Sequence, residues 1–250
     1  MLVLSRNDIE RISNIALKSY LNTDILPLRK ICINRFAQEY LGINIEYIDL
    51  DFSPVEILGM TSYEDFELYL DEKLPWKTIH MKQNTIYLNR RLLNSKNFGR
   101  HNFTIAHECG HQIVYRMEKD NLSKVSSELC SFRRNSENDW NEWQANCFAS
   151  ALLMPEQKIR HYFYLTRSDK PFCIYYKNSM HADTRELIKM SNFFGVSYTA
   201  LCKRLIQLNL AKMPSHDYIN VMDIVKEENE WENISSIQLP ASESTVLNRL

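Results

Sequence analysis

Glycine and proline are scarce in this chain, at 5 and 7 of 250 residues. That excludes the long Gly- or Pro-rich segments from which flexible linkers are made. No apolar run approaches the roughly 20 residues needed to span a membrane. The opening residues, Met1-Leu2-Val3-Leu4-Ser5-Arg6, lack the apolar stretch of a signal peptide. Neither sign of charge prevails: 30 basic and 31 acidic residues leave a net charge of −1. A global basic field for nucleic acid is therefore missing, and DNA is not an expected partner. The six cysteines, Cys32, Cys109, Cys130, Cys147, Cys173 and Cys202, form no C-x-x-C pair. In a chain of this size they read as reduced, mostly buried thiols and not as a disulfide framework. The expectation is a soluble, cytoplasmic protein without a membrane partner.

What is present is globular. Hydrophobic residues make up 44% and charged residues 24%, suiting one large domain or one domain with a small appendage. Ser5 and Asp8 have the spacing of a capping box, opening a helix with Ile9, Ile12, Ile15/Ala16 and Ser19/Tyr20 on one face. Thr23 or Asp24 predicts the cap of a second helix through Tyr40, stopped by Gly42. From Ile43 the pattern turns strand-like: Ile43–Leu50, more weakly Val55–Met60, then Trp76–His80 and Thr85–Asn89 as a hairpin about Lys82-Gln83-Asn84. Residues Tyr63–Leu74 suit a short helix or an insertion.

A helix is predicted from Phe103 to Met117, and within it lies His107-Glu108-Cys109-Gly110-His111. At about 100° per residue, His107 and His111 share one face and can hold one metal ion. Glu108 lies at the edge of that face, while Cys109 points away. H-E-x-x-H on a helix is the pattern of zinc hydrolases, with two neutral imidazole ligands and a glutamate as general base. The histidines interrupt an apolar stripe of Phe103, Ala106 and Val114. Buried imidazoles need hydrogen-bond partners or a metal. Gly110 inside the helix costs about 1 kcal/mol relative to alanine, which suits close approach of another backbone or a substrate.

A catalytic zinc takes three protein ligands and keeps one position open. The metzincin spacing would put a histidine at 117 and a glycine at 114; the chain has Met117 and Val114. A glutamate from a later helix is the remaining common solution. Glu142, on a predicted helix that starts at Asp139 or Asn141 and ends at Pro155, is the best candidate. Asn146, one turn on, suits a hydrogen bond to a ligand. Glu128, Glu137 and His161 stand as alternative ligands. Tyr115, His161, Tyr162 and His181 are equal candidates for an oxyanion donor, which stays unassigned. The polar stretch Glu118–Asn138 reads as a surface loop that could cover a site. His161–Tyr176 is aromatic and poorly periodic. Asp183 caps a helix to Phe194, Gly195-Val196 turns, and Ser197 caps a helix to Leu208. That is helix-turn-helix spacing, though Lys189, Lys203 and Arg204 are a thin basic set for reading DNA. The tail from Met213 is polar and irregular.

Two segments resemble a known family. Arg100-His-Asn-Phe-Thr-Ile-Ala106 leading into His107–His111, and Glu142-Trp-Gln-Ala-Asn-Cys-Phe-Ala-Ser-Ala-Leu-Leu-Met-Pro155, are similar to the paired signatures of the ImmA/IrrE metallopeptidases. Those signatures read R-x-x-F-T-x-A-H-E-x-G-H and E-x-x-A-N-x-F-A-x-x-L-L-M-P. The likeness extends over roughly residues 5–210. It differs in Cys109, where an aliphatic residue is common, and in a long stretch between the signatures. The resemblance implies a zinc-dependent endopeptidase that cleaves a helix-turn-helix repressor to induce mobile-element or stress genes; two histidines and a glutamate also suit manganese. It implies His107, His111 and Glu142 as metal ligands and Glu108 as base. The competing expectation is a zinc-stabilised regulator that binds a repressor or DNA without cutting. The expected fold is α+β and mostly helical, with a small, mainly antiparallel sheet on the motif helix. The expected organisation is a metallopeptidase domain over 1–180, a helix-turn-helix-like pair over 181–211 and a polar tail over 212–250.

Overall fold

The computed structural model describes residues 2–50, 57–69, 78–93, 98–121, 136–167, 170–175 and 180–213. Helix α1 (Arg6–Leu21) opens on the expected capping box. Ser5 Oγ accepts from Asp8 N at 3.3 Å and the Asp8 carboxylate accepts from Ser5 N at 3.1 Å. Its buried stripe is Ile9, Ile12, Ser13, Ala16 and Leu17, which follows the i, i+3, i+4, i+7, i+8 spacing of one helix face. Ile15 falls off that stripe and is exposed.

The second predicted helix is shorter than expected. Thr23 Oγ1 bonds both the N–H and the carbonyl of Ile25, and Arg29 N bonds Pro27 O. These local turns compete with helix. Regular winding begins only at α2 (Ile33–Arg35) and passes into a π-type turn, Phe36–Tyr40. Gly42, at φ +63°, ends it as expected, in a conformation that glycine adopts without strain.

Five short strands follow: β1 (Asn44–Ile48), β2 (Gly59–Ser62), β3 (Phe66–Tyr69), β4 (Thr78–Met81) and β5 (Thr85–Asn89). Within Tyr63–Leu74, where a short helix or an insertion was expected, Phe66–Tyr69 is a strand and residues 70–74 lie outside the described residues. The expected hairpin of β4 with β5 does not form. β5 is buried along its whole length, with β1 parallel on one edge and β2 antiparallel on the other. Both its edges are taken, so β4 pairs antiparallel with β3 instead. A third pair, β6 (Phe172–Cys173) with β7 (Ala211–Lys212), is parallel. The sheets are thus mixed, not mainly antiparallel; the class is compatible with α+β.

The motif helix α3 (Phe98–Asn121) starts five residues before its predicted beginning, and α4 (Ser136–Leu153) likewise starts early. Of the loop expected over 118–138, residues 118–121 continue α3 and 136–138 begin α4; residues 122–135, with Glu128 and Cys130, lie outside the described residues. The side chain of Glu137 lies outside them too. Beyond Pro155, α5 (Glu156–Arg167) takes in the first part, His161–Arg167, of the segment that looked aperiodic. Ile159 and Phe163 face the core while Tyr164 and Leu165 are exposed, which blurred the pattern.

α6 (Ala182–Phe194) is capped by His181, not by Asp183. The Asp183 carboxylate instead takes Arg167 at 2.8 Å and Cys173 N at 2.8 Å. Gly195, at φ +67°, turns the chain, and Ser197 Oγ accepts from Ala200 N to start α7 (Tyr198–Gln207).

α3 lies at the centre, with Ile105, Ala106, Cys109 and Ile113 fully buried. The β1–β5–β2 sheet, α4 and α2 all pack on it. The main core runs from Leu4 through α3 and α4 to Leu201 and Leu205 of α7. Leu50, Met60, Met81 and Tyr87 form a smaller cluster. Among the described residues no helix is long and apolar enough to cross a membrane. Five cysteines are described and none forms a disulfide. Cys109 and Cys202 are buried and Cys147 and Cys173 half-buried, while Cys32 is exposed, contrary to the expectation of burial.

Candidate metal centre

Two helices must come close for the predicted ligands to meet. Gly110 of α3 permits it: a Cβ there would lie 2.8 Å from Phe148 Cβ and 3.1 Å from Ala145 Cα. Ala145 is the small partner on α4. Glycine over alanine is the close backbone approach expected of Gly110, and it brings one turn of α3 against one turn of α4.

Across this contact His107, His111 and Glu142 converge. The two Nε2 atoms lie 3.1 Å apart, His107 Nε2 is 3.1 Å from Glu142 Oε2, and His111 Nε2 is 3.3 Å from Glu142 Oε1. Ligands about 2.0 Å from a tetrahedral ion stand roughly 3.3 Å from one another. The spacing and the donor set, two imidazoles and a carboxylate, fit a zinc-type ion. Among the described residues this is the cluster of His, Cys, Asp or Glu that could hold one. Asn146 Oδ1 lies 3.1 Å from His107 Nδ1. A proton on Nδ1 donated to that oxygen leaves Nε2 with its lone pair toward the cluster.

Burial opposes charge on His107, but its bond to Glu142 and the carboxylates of Glu108 and Glu142 outweigh that and move its pKa upward. Burial would raise Glu142, yet the hydrogen bonds from His107 and His111 hold it well below the usual carboxylate range. Glu108 is 5% exposed, and burial raises its pKa against the pull of both histidines. Cys109 points into the core as expected, its thiol pushed up by burial.

The structure gives other partners to several of the remaining candidates. His161 is exposed on α5, Tyr162 donates to Glu186 at 3.3 Å, and the His181 ring packs at a tilt against Tyr175. Tyr115, one turn beyond His111, stacks on Tyr63 with ring centroids 4.2 Å apart. Two residues escaped the sequence reading. Gln112, fully buried, donates to Thr61 Oγ1 at 2.6 Å and Ser62 O at 3.0 Å, fastening β2 to α3. Gly59 of β2 lies against Glu108. A lone glycine in a strand pattern was a signal for close approach.

The model of a peptidase family described as the IrrE N-terminal-like domain matches residues 38–206, about two thirds of the chain. The chain belongs to this family. The matched segment contains α3, α4 and the whole cluster, and membership of a metallopeptidase family implies a metal. No curated protein matches the chain in sequence. Among solved structures, a Mycobacterium tuberculosis transcriptional regulator aligns at 14% identity with a TM-score of 0.42. The alignment covers 80% of this chain and 46% of that one, so the chain spans less than half of that protein's length.

Proposed function

We propose that this chain is a metal-dependent endopeptidase. In this reading His107, His111 and Glu142 hold one divalent ion, zinc or alternatively manganese, and Glu108 is the general base. The observation that carries it is the convergence of two Nε2 atoms and two carboxylate oxygens at 3.1–3.3 Å beside a buried glutamate. A bound zinc-type ion supplies Lewis acidity and lowers the pKa of water to about 7. The protein's own groups do the rest. Asn146 fixes the His107 tautomer and ring. Burial raises the basicity of Glu108, which favours its taking a proton from the attacking water and returning it to the leaving amine.

The proposed substrate is a helix-turn-helix transcriptional repressor, acted on in the cytoplasm; the family resemblance supports this. DNA is not the proposed partner. Arg204, one of three candidate cations on the α6–α7 pair, is buried against Glu10 and cannot face a phosphate.

The test is to incubate the purified chain with the helix-turn-helix repressor encoded nearest its gene. Glu108→Gln is expected to retain metal and lose cleavage. His107→Ala is expected to lose both. Repressor release that persists in Glu108→Gln would overturn proteolysis in favour of binding alone.

A further inference from the structure

We propose that Gly59 is a positioning residue for Glu108: its missing side chain forms the slot in which the glutamate is held. This rests on the reading of Glu108 as the general base. A Cβ on Gly59 would lie 2.6 Å from Thr104 Cγ2, 3.1 Å from Glu108 Oε1 and 3.3 Å from Glu108 Cγ. Contacts that short require something to move, and β2 is not free to do so.

The strand is fixed on both sides of Gly59. Before it, Asn89 N donates to Leu58 O at 2.8 Å and Asn89 Nδ2 to Ile57 O at 3.0 Å. After it, Gln112 Nε2 holds Thr61 Oγ1 and Ser62 O. Along its length β2 is paired with β5, Gly59 opposite Leu88. The helix side is equally set, since Thr104 Oγ1 donates to Arg100 O at 3.0 Å, which directs its methyl at Gly59. Two of the three atoms nearest the new Cβ belong to the Glu108 side chain, so it is among the groups that must give. Gly59 does not have a positive φ, so alanine is compatible with the backbone and its cost is the contact alone.

The experiment compares the full-length wild type with Gly59→Ala and with Gly59→Ala/Thr104→Ser, all zinc-loaded. Serine at 104 removes the methyl closest to the new Cβ but leaves the encounter with Glu108. The double variant is expected to recover the thermal stability lost in the single one. In its crystal structure the Glu108 carboxylate should be displaced, with zinc stoichiometry unchanged. Cleavage of a random-sequence peptide pool, read as new amino termini by mass spectrometry, should fall severalfold in kcat, because the remaining contacts require Glu108 to give by a few tenths of an ångström, less than the ångström that costs about a hundredfold. A carboxylate superimposing on that of the wild type, or a double variant with wild-type kcat, would overturn the inference. A wild-type chain that cuts no peptide would sink the endopeptidase reading instead, and the carboxylate position would still decide the role of Gly59.

Discussion

Asn146 sits where a single hydrogen bond sets the lone pair of a ligand. Asn146→Ala is expected to weaken zinc binding by about 10–100-fold, the usual effect of losing such a partner, and competition with a chelator measures it. Lys158 makes a different prediction. It is 2% exposed, its Nζ donates to Arg29 O at 2.8 Å, and burial, then repulsion from Arg29, brings its pKa from 10.5 down to about 8. Below pH 8 both folded and unfolded chains hold this proton, and the fold bears the whole cost of a buried charge. As pH rises from 8 toward 10.5 the folded chain releases its proton first, so the stability of the fold increases. A difference of this size corresponds to on the order of 3 kcal/mol. Urea unfolding at pH 7 and pH 9.5 should therefore show the wild type gaining on Lys158→Met. Parallel pH dependences for the two would refute the account.

At the scale of elements, the site depends on how closely α3 and α4 approach. Gly110→Ala drives a methyl into Phe148 Cβ and the Ala145 backbone. Overpacking of this kind costs about 1–3 kcal/mol, and here it also separates His107 and His111 from Glu142. Both the melting temperature and zinc affinity are expected to fall, by calorimetry and metal titration; normal affinity in a destabilised variant would uncouple them. These two helices carried the most legible information in the sequence. His107, Glu108 and His111 were grouped by helical spacing on α3, and Glu142 and Asn146 by spacing on α4; joining the two sets took the ligand count of a catalytic zinc and the resemblance of the paired signatures. Gln112 was not legible, and at Gly59 only a close approach was, without its partner, because both roles depend on which strand lies over α3. The β4–β5 hairpin failed for the same reason: pairing is settled by which edges remain open, and β5 has none. Asp183 had the residue type and position of a cap, but a tertiary arginine took its carboxylate and His181 capped the helix.

Across the whole molecule, Arg204 joins three distant segments. Its Nε donates to Met154 O at 3.0 Å, just past α4, and its guanidinium pairs with Glu10 of α1. Removing one partner from a buried ion pair costs about 3–5 kcal/mol. Arg204→Met should lose stability on that scale in denaturant unfolding, and Arg204→Met/Glu10→Met should regain a large part of it. Unchanged stability in the single variant would show that the pair is solvated.

Because His107 and His111 come from one helix and Glu142 from another, an ion held among them would clamp α3 to α4 in the folded chain only. Such an ion stabilises by mass action: at a hundred times its dissociation constant, by about 2.7 kcal/mol. In a chain of this length that raises the melting temperature by roughly 5–10 °C. Thermal shift thus becomes a readout of occupancy that needs no substrate. A panel of zinc, manganese, cobalt and nickel, each against a His111→Ala control, would rank the ions before any cleavage site is known.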